Sequence, residues 1–547
     1  MSIRVEQLMM LPASLPPALL AATSLSDRLV RNLFDNTFAG IHQLDWFDWS
    51  LLIPYFVILG ILSIYGLHRY DMIRTYFKYR RNATKEPSTR FEVLPRVTIQ
   101  LPIYNERYVV ERLIDEVTKI EYPRELLQIQ VLDDSTDDTH AHAEALCERY
   151  EALGFSIEYL HRTDRQGFKA GALAEGLKTA TGEFVAVFDA DFIPPADFLL
   201  KTVHYFADPA VGVVQTRWSY LNREYNFLTE VEALLLDGHF ILEHGARSRA
   251  NYFFNFNGTA GILRRRMIDE AGGWQADTLT EDSDLSYRAQ LKGWRFVYVP
   301  GVDCPSELPV EMHGFQVQQS RWAKGLTQVA MKILPDVVRA KLPWRVKAEA
   351  FLHLTPNISY PLMMVVSALM LPVMIVRFYM GPFQMVFLDL PLIVASFWSI
   401  SAFYVVAYRE LYPKHWKRSI CLLPMLMAVG VALTIINTRA VLEALLGIRS
   451  AFVRTPKYAI EGALVNLEHK KYRRKSGWLP YLEIAAGSYF LYMIVFAIET
   501  YNYFAIPFLA LFTAGYYWAG FATLYHEHQS QLRWLRERRA FEIQTAR

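Results

Sequence analysis

The residues best suited to chemistry in this sequence are two aspartates that end an apolar run. The run Phe184–Phe188 has the composition of a buried strand, and Asp189 and Asp191 follow it directly. Two carboxylates this close repel each other unless a cation compensates them. Oxygen ligands suit Mg²⁺ or Mn²⁺, and Mg²⁺ commonly takes one or two carboxylates together with substrate phosphates. The pair therefore predicts a metal that holds a phosphate group, although helix caps and turns explain most isolated Asp-x-Asp sequences.

Short strand-like runs alternate with helical patterns around these aspartates. The runs are Val97–Leu101, Leu127–Leu132, Ser156–Leu160 and Phe184–Phe188. Alternation at this spacing predicts an α/β domain with a parallel sheet covered by helices. Such sheets bind their ligands beyond the carboxyl ends of the strands. We therefore expect the residues that follow these runs to meet at one edge of the sheet.

Polar residues follow the other strands as well. Tyr104 and Glu106 come after the first strand, and Asp133 and Asp134 end the second. Lys169 opens a predicted helix, and a helix N-terminus with a lysine suits a phosphate. A plain amphipathic helix start explains Lys169 about equally well, and a solvated loop with a helix cap explains the aspartates. Their common position after strands favours a shared site.

A second acidic group precedes a later amphipathic pattern. It contains Glu281, Asp282 and Asp284. Acidic residues in the first turn of a helix ordinarily compensate the helix dipole. By itself this group predicts a helix start, and a catalytic role requires the fold to bring it to the strand ends.

Apolar segments flank this region on both sides. A membrane-spanning helix needs roughly 20 mostly apolar residues. Basic residues after Leu67 favour a cytosolic domain and an external N-terminus. Basic residues near Arg449 conflict with three full spans before them, so we interpret Ser419–Ile436 as re-entrant or interfacial and expect five spans. The candidate segments are Leu51–Leu67, Ile358–Val376, Val386–Ala407, Ser419–Ile436, Tyr481–Ile498 and Tyr503–Leu524.

The segments predict a multi-pass membrane protein with one inserted soluble domain. A net charge of +2 gives no indication of a nucleic-acid partner. The three cysteines are far apart, which argues against a disulfide framework or a zinc site. The expected parts are an interfacial region 1–50, a transmembrane helix 51–68, a cytosolic domain 69–348, a transmembrane bundle 349–524 and a basic cytosolic tail 525–547.

In their order along the chain, these motifs resemble those of the family 2 inverting glycosyltransferases, in particular the membrane-embedded cellulose synthase-like and glucomannan synthase-like members. Further matching segments are Phe256–Gly261, Gln318–Trp322 and Phe452–Lys457. The resemblance covers roughly residues 97–457 and the layout of the flanking helices. It implies a GT-A fold, that is, a Rossmann-like α/β catalytic domain inserted between membrane helices.

The resemblance also implies a role for each matching residue. Asp282 would be the general base with Glu281 beside it, and Arg321 would neutralise the leaving diphosphate. Asp191 and Asp189 would bind Mg²⁺ or Mn²⁺. The nucleotide sugar would contact Tyr104, Glu106, Asp133, Asp134, Lys169 and Asp189; the acceptor would contact Asn257, Gly258, Thr259, Gln318 and Trp322; a gating loop would contain Phe452, Thr455 and Lys457.

The implied activity is that of a processive, inverting β-glycosyltransferase. It would move a hexose from a nucleotide sugar to a growing polysaccharide and pass the polymer across the lipid bilayer. UDP-glucose is the favoured donor and GDP-mannose the next. The alternative is a non-processive transferase that makes a membrane glycolipid, and a nucleotide-sensing channel or transporter is a remote alternative.

Some positions depart from the cellulose synthases. They are Ser135 after the second acidic pair, Ala174 in the helix of Lys169, and Arg454 in the gating-like segment. These departures count against cellulose itself as the product. We expect a bacterial plasma membrane location and no nucleic-acid partner, and the sequence does not identify partner subunits.

Overall fold

The structure, a computed structural model, describes residues 42–378, 392, 394–448, 455, 457–462, 477–500 and 502–545, with side chains up to residue 529. A mixed α/β domain lies between a long helix that precedes it in the chain and a set of helices that follow it. This agrees with the predicted fold class.

Seven strands form one sheet within the described residues. They are β1 (Val97–Ile103), β2 (Leu127–Asp133), β3 (Ile157–His161), β4 (Phe184–Val187), β5 (Val211–Tyr220), β6 (Gly261–Arg264) and β7 (Arg295–Ser306). The order across the sheet is β3-β2-β1-β4-β6-β5-β7. The four strands expected from the sequence are all present, and they pair in parallel with one another.

The sheet as a whole is mixed, because it also contains β6, a strand that was not expected from the sequence. This strand runs antiparallel to both β4 and β5, with Gly261 opposite Val187. The reason is the route of the chain, because the segment before β6 crosses the carboxyl end of β4. A strand that starts from that edge must run back through the sheet in the opposite direction.

Helices surround this sheet and continue beyond the domain. They are α1 (Trp46–Lys78), α2 (Val110–Val117), α3 (Thr139–Ala152), α4 (Phe168–Thr179), α5 (Phe198–Thr202), α6 (Phe227–Gly238), α7 (Gly245–Arg249), α8 (Arg265–Glu270), α9 (Glu281–Leu291), α10 (Met312–Arg339), α11 (Trp344–Leu354), α12 (Ser359–Phe378), α13 (Ser399–Leu411), α14 (Lys417–Ala432), α15 (Thr434–Leu445), α16 (Leu479–Glu499) and α17 (Ile506–Thr545). Two π-helical turns are His239–His244 and Val394–Trp398, and 3₁₀ turns are Arg80–Asn82, Arg124–Leu126, Val203–Ala207 and Pro356–Ile358.

Side chains of the strands contribute to two apolar clusters, one on each face of the sheet. On β4, Phe184 and Ala186 belong to one cluster, and Val185 and Val187 belong to the other. Successive side chains of a strand point to opposite faces, so a strand covered on both faces is apolar throughout. Both faces of β4 are therefore buried along its length, and the two aspartates follow where this buried run ends.

Three helices among the described residues are long and apolar enough to cross a membrane. They are Trp46–Lys78, Pro356–Phe378 and Leu479–Glu499. The helices α14 and α15 meet at a bend of 43° and would make a fourth span if they form one unit. Such a bend suits either a broken span or a re-entrant loop, so the interpretation of Ser419–Ile436 stays a prediction.

Two other expected spans are not among these candidates. Residues 386–391 and 393 of the segment Val386–Ala407 lie outside the described residues, and the rest of it continues into α13. The segment Tyr503–Leu524 lies largely within α17, which is longer than a single span requires. Of the expected interfacial region 1–50, residues 1–41 also lie outside the described part of the chain.

We predict that two glycines of α1 differ sharply in their tolerance of alanine. A Cβ on Gly66 would overlap the backbone carbonyl of Ala395, whereas a Cβ on Gly60 would meet nothing within 4 Å. Gly66→Ala should lower the thermal unfolding midpoint in detergent by roughly 2–5 °C, since overpacking typically costs about 1–3 kcal/mol. Gly60→Ala is the matched control and should leave the midpoint unchanged or raise it. Equal effects of the two changes would contradict this close packing of α1.

Candidate active site

The carboxyl ends of three parallel strands bring the predicted residues to one edge. Ile103 of β1 lies opposite Asp133 of β2. The next strand, β4, is in parallel register with β1, so Asp189 follows at the same edge. This arrangement places the residues after β1, β2 and β4 at a common edge of the sheet.

The two aspartates after β2 have separate partners. Asp133 is fully buried and accepts hydrogen bonds from the Ser135 backbone at 2.8 Å and the Tyr159 hydroxyl at 2.8 Å. Asp134 accepts two hydrogen bonds from Arg162, at 2.7 and 2.5 Å. Both carboxylates are therefore part of a structured strand end rather than of a solvated loop.

Arg162 extends this order to the turn before α4. Its guanidinium also donates to the backbone carbonyls of Gln166 and Phe168, each at 3.0 Å. In that turn Arg165 lies over the Tyr104 ring, 3.2 Å from the ring centroid. Asp134 thus helps to fix one wall of the cleft, formed by Tyr104 and Arg165. No local sequence pattern indicates a role for Arg162 or Arg165, because their partners lie in other elements.

Lys169 joins the strand end to the segment before β6. Its ammonium donates to Asp189 at 2.5 Å and to the Gly258 carbonyl at 2.9 Å. Burial acts to lower the pKa of Lys169, but the nearby carboxylates of Asp189, Glu281 and Asp282 outweigh burial and raise it. The ammonium therefore stays charged at this edge.

Asp282 lies in the first turn of α9, beside the same ammonium. Burial raises the pKa of this carboxyl to about 7, with a further increase from the Glu281 carboxylate, while Lys169 acts in the opposite direction. The pKa of Glu281 is also raised, mainly by burial. A carboxyl that titrates near neutral pH is suited to take up a proton. Asp282, which lies in the helix start predicted from the sequence, thus also has the properties of a general base.

Gly258 lies directly against Asp282. Its φ is +78°, and a Cβ at this position would lie 3.0 Å from the Asp282 carboxylate. Its neighbour Thr259 accepts a hydrogen bond from the backbone N–H of Asp189 at 2.9 Å. The short segment Asn257–Thr259 therefore touches both the strand end and the candidate base.

The helix α10 approaches the site closely at one glycine. A Cβ on Gly325 would lie 2.5–2.9 Å from atoms of Thr280, just before Asp282. Gln328 accepts a hydrogen bond from the Leu279 backbone at 2.9 Å. One turn earlier on the helix, Arg321 is in the field of Asp189 and Glu281, and burial lowers its pKa. Because residue 325 is a glycine, α10 can pack closely against Thr280 and place the Arg321 guanidinium near these carboxylates.

The remaining residues predicted to contact the acceptor have different environments. Gln318 on α10 is buried, and Trp322 packs against the apolar cluster on one face of the sheet. The Asn257 side chain contacts His239, at 3.3 Å, and His244, at 3.2 Å. Their roles toward an acceptor stay predictions.

Asp191 is held by the gating-like segment. Lys457 donates to the Asp191 carboxylate at 2.7 Å and to the Glu307 carbonyl at 2.8 Å. The Glu307 carboxylate accepts from the backbone N–H groups of Tyr458, at 2.7 Å, and Ile460, at 3.2 Å. This contact brings residues 457–460 to the expected metal position. Sequence reasoning missed Glu307, which has no motif around it.

Of the other two predicted gating-loop residues, Thr455 lies within the described residues and Phe452 does not. Thr455 is buried, and a Cβ on Gly314 of α10 would lie 3.9 Å from its methyl group. Phe452 lies outside the described residues. The segment is thus docked against both the catalytic edge and α10 at the positions that are described.

The donor set fits a Mg²⁺ or Mn²⁺ ion that completes its shell with phosphate and water. Among the described residues there is no group of three or more His, Cys, Asp or Glu side chains that could hold a metal. Two carboxylates could contribute, and each is bonded to an ammonium here: Asp189 to Lys169, and Asp191 to Lys457, which lies where a cation would bind Asp191. Mg²⁺ commonly takes only one or two carboxylates when substrate phosphates supply further ligands.

We predict that removing the Lys457 ammonium strengthens Mn²⁺ binding. Lys457 and the metal compete for the Asp191 carboxylate, so Lys457→Met should lower the Kd for Mn²⁺ by roughly three- to tenfold, the size of a charge pair of about 1 kcal/mol. The loss of free Mn²⁺ signal in electron paramagnetic resonance measures the binding. Lys332→Met is the matched control, because Lys332 pairs with Asp277 and Asp284 instead. Unchanged or weaker binding in Lys457→Met would contradict the competition.

The sequence is similar to known proteins over this domain. Residues 95–325 match the family described as "Glycosyltransferase like family 2". The chain is 40% identical over 286 residues to "Glucomannan 4-beta-mannosyltransferase 1" of Cyamopsis tetragonoloba, covering 51% of this chain and 54% of that protein. It is 42% identical over 252 residues to "Glucomannan 4-beta-mannosyltransferase 2" of Arabidopsis thaliana, covering 45% of this chain and 47% of that protein.

The extent of these similarities is limited. The chain spans about half the length of the curated relatives it matches. Among solved structures, it is similar to a mannosyltransferase of Pyrobaculum calidifontis in complex with GDP-Man and Mn²⁺, with 24% identity and a TM-score of 0.47, over 66% of this chain and 100% of that chain. Residues 95–325, which run from β1 into α10, are thus similar to glycosyltransferase domains of family 2, and the matches to the curated relatives agree with this similarity.

Proposed function

We propose that the chain is a processive, inverting β-mannosyltransferase that uses GDP-mannose to extend a mannan-type polysaccharide. The observation that carries the proposal is Asp282, a carboxyl with a pKa raised to about 7 beside Lys169 and Arg321 at the strand ends. This combination supplies a proton acceptor and cations in one cleft. The names of the curated relatives support mannose over glucose, which reverses the order of donors expected from the sequence.

In the proposed reaction, Asp282 takes the proton of the acceptor hydroxyl as that oxygen attacks the anomeric carbon. A positioned base of this kind contributes about 10²–10⁴-fold to the rate. Lys169 and Arg321 stabilise the negative charge that develops on the leaving diphosphate. A single displacement inverts the anomeric centre, so an α-linked donor gives a β-linked product. When bound by Asp189 and Asp191, Mg²⁺ or Mn²⁺ would further stabilise the diphosphate charge.

Buried polar groups among the membrane helices support transfer of the polymer through the bundle. Gln316 of α10 donates to Glu483 of α16 at 2.6 Å, and Glu483 is fully buried. Polar groups at membrane depth usually face the interior of the bundle or a water-filled path, and they often mark a substrate route. Further buried polar side chains in these helices are Ser367, Thr434, Asn437 and Thr523.

The proposed location is a membrane with the catalytic domain on the cytosolic side. The three candidate spanning helices support a membrane protein. Basic residues at the end of α1 and just after it, including Lys78, Arg80 and Arg81, support the cytosolic side for the domain. Cytosolic nucleotide sugars would then reach the cleft directly.

We predict that the purified full chain makes a β-mannan from GDP-mannose. Radiolabelled GDP-mannose and UDP-glucose are offered separately with Mn²⁺, and the products are sized and digested with an endo-β-mannanase. Long, mannanase-sensitive chains should form from GDP-mannose only. Asp282→Asn should reduce the product at least about 10²-fold, because the amide cannot accept the proton. Asp277→Asn is the matched control, since Asp277 is exposed and pairs with Lys332.

Other products would separate the parts of this proposal. A single labelled glycolipid would contradict processive synthesis and leave the role of Asp282 intact. A polymer from UDP-glucose alone would contradict the donor. Full activity of Asp282→Asn would contradict the assignment of the base.

We predict that the pH profile of kcat/KM reports the titration of Asp282. The base must be deprotonated to act, so activity should rise with pH through a limb near pH 7, where its pKa lies. Glu281→Gln removes a negative charge that raises this pKa, so the limb should move to lower pH even if the maximal rate falls. A limb at the same pH in Glu281→Gln would show that another group titrates.

A further inference from the structure

A π-helical turn contacts the segment Asn257–Thr259, which in turn touches the candidate base Asp282. It comprises His239–His244, between α6 and α7. Residues five apart are about 140° from each other around an α-helix, whereas a π-turn bonds residue i to residue i+5 and brings them to one side. The rings of His239 and His244 accordingly lie 4.4 Å apart, measured between centroids. Such π-turns occur frequently at functional sites.

Both rings contact the segment before β6. His239 Nε2 lies 3.3 Å from the Asn257 side-chain oxygen. His244 Nε2 lies 3.0 Å from the Asn255 carbonyl and 3.2 Å from the Asn257 side-chain nitrogen. Gln215 of β5 accepts from the Asn257 backbone at 2.9 Å. His244 Nε2 cannot donate to the Asn255 carbonyl and accept from the Asn257 amide at the same time, so the Asn257 side chain is held from the π-turn through His239, and the Asn257 backbone is held from the sheet.

The opposite side of the same segment carries the contacts to the reacting groups. The Gly258 carbonyl accepts from Lys169, and the space of a Gly258 Cβ is bounded by Asp282 at 3.0 Å. Thr259 accepts from the Asp189 backbone. A shift of Asn257 would therefore also move Gly258. It would change the distance between a bound acceptor sugar and the Asp282 carboxylate.

The π-turn is itself anchored to the first membrane helix by a chain of ionic contacts. His239 Nδ1 lies 3.1 Å from Glu243, which pairs with Arg247 at 3.2 Å. Arg247 pairs with Glu349 of α11 at 2.8 Å, and Glu349 contacts His68 of α1 at 2.8 Å. The Arg247–Glu349 pair is buried, and because removing one member of a buried ion pair is strongly unfavourable, this pair is the firm part of the series, whereas the Glu243 side chain is 34% exposed.

The charge states of the groups in this series of contacts are consistent with a stable attachment. Burial acts to raise the pKa of Glu243, but Arg247 and His239 outweigh it and hold the pKa well below its usual value. Burial lowers the pKa of His244 well below its usual value, which keeps that ring neutral. Glu243 therefore remains an acceptor, as is the Asn257 oxygen, and His239 can donate to both together only with a hydrogen on each ring nitrogen.

We propose that His239 is a positioning residue that, through Asn257, sets the Asn257–Thr259 segment against Asp282 and Lys169. Through Glu243, Arg247 and Glu349 it ties that segment to the first membrane helix. The inference rests on the proposed transferase function. Its consequence is that a group without contact to donor or metal controls the rate of transfer, since small misplacements near a reacting centre cost up to about 10²-fold.

The test compares His239→Phe with His239→Gln in the full-length protein in detergent. Phenylalanine keeps the ring volume but removes both nitrogens, whereas glutamine keeps an amide that can donate to Asn257. His239→Phe should lower kcat for mannosyl transfer roughly 10- to 100-fold and change the KM for GDP-mannose less than about twofold. His239→Gln should recover part of kcat. His142→Phe is the matched control, because His142 pairs with Glu111 outside this network.

Hydrogen–deuterium exchange gives a readout that does not depend on activity. In His239→Phe, exchange should increase in residues 255–261 and stay unchanged in strand Val97–Ile103. Unchanged exchange and kcat in His239→Phe, or a donor KM that rises as kcat falls, would overturn the proposal. If the wild type transfers no mannose, the proposed function fails, and exchange in residues 255–261 alone decides the positioning role. If exchange in Val97–Ile103 shows that His239→Phe is unfolded, His239→Gln carries the same comparison.

Discussion

The site depends on one half-buried ammonium group among several carboxylates. Lys169 bonds Asp189 at the end of β4 and the carbonyl of Gly258, and Glu281 and Asp282 lie in its field. These groups come from four separate parts of the chain. Carboxylates cannot gather in a partly buried cleft without compensating positive charge. The ammonium therefore determines how closely α4, β4, α9 and the segment before β6 can approach one another.

The long helix α10 connects this charge balance to the membrane part. On the site side, Gly325 packs against Thr280, and Arg321 enters the field of Asp189 and Glu281. On the other side, Lys324 pairs with Glu443 at 2.8 Å. A displacement of α10 would change the cation beside the diphosphate position and the contacts with the bundle together. Transfer and polymer movement would thus share one structural element in the proposed enzyme.

The sequence predicted the elements whose signal is local. β4 was recognisable because both of its faces are buried, and Asp189 and Asp191 marked its end. The direction of β6 was not predictable, because it depends on where the preceding segment crosses the sheet. Contacts between distant side chains were also not predictable: Lys457 and Asp191 are 266 residues apart in the chain. His239 was missed because a half-buried histidine in a helix has the same local pattern whatever its partner.

The contact between Lys457 and Asp191 gives the gating-like segment two attachments of different kinds. Glu307 holds the backbone of Tyr458 and Ile460, and these bonds do not involve the expected metal ligands. Lys457 instead occupies the Asp191 carboxylate, which a divalent cation also needs. A divalent cation bound by Asp191 would replace the ammonium at that carboxylate, while the bond from Lys457 to the Glu307 carbonyl and the bonds from the Tyr458 and Ile460 backbone could remain. In the proposed enzyme, the described residues 457–460 would thus stay attached to the edge of the sheet through Glu307 if a metal and its diphosphate bound at Asp191.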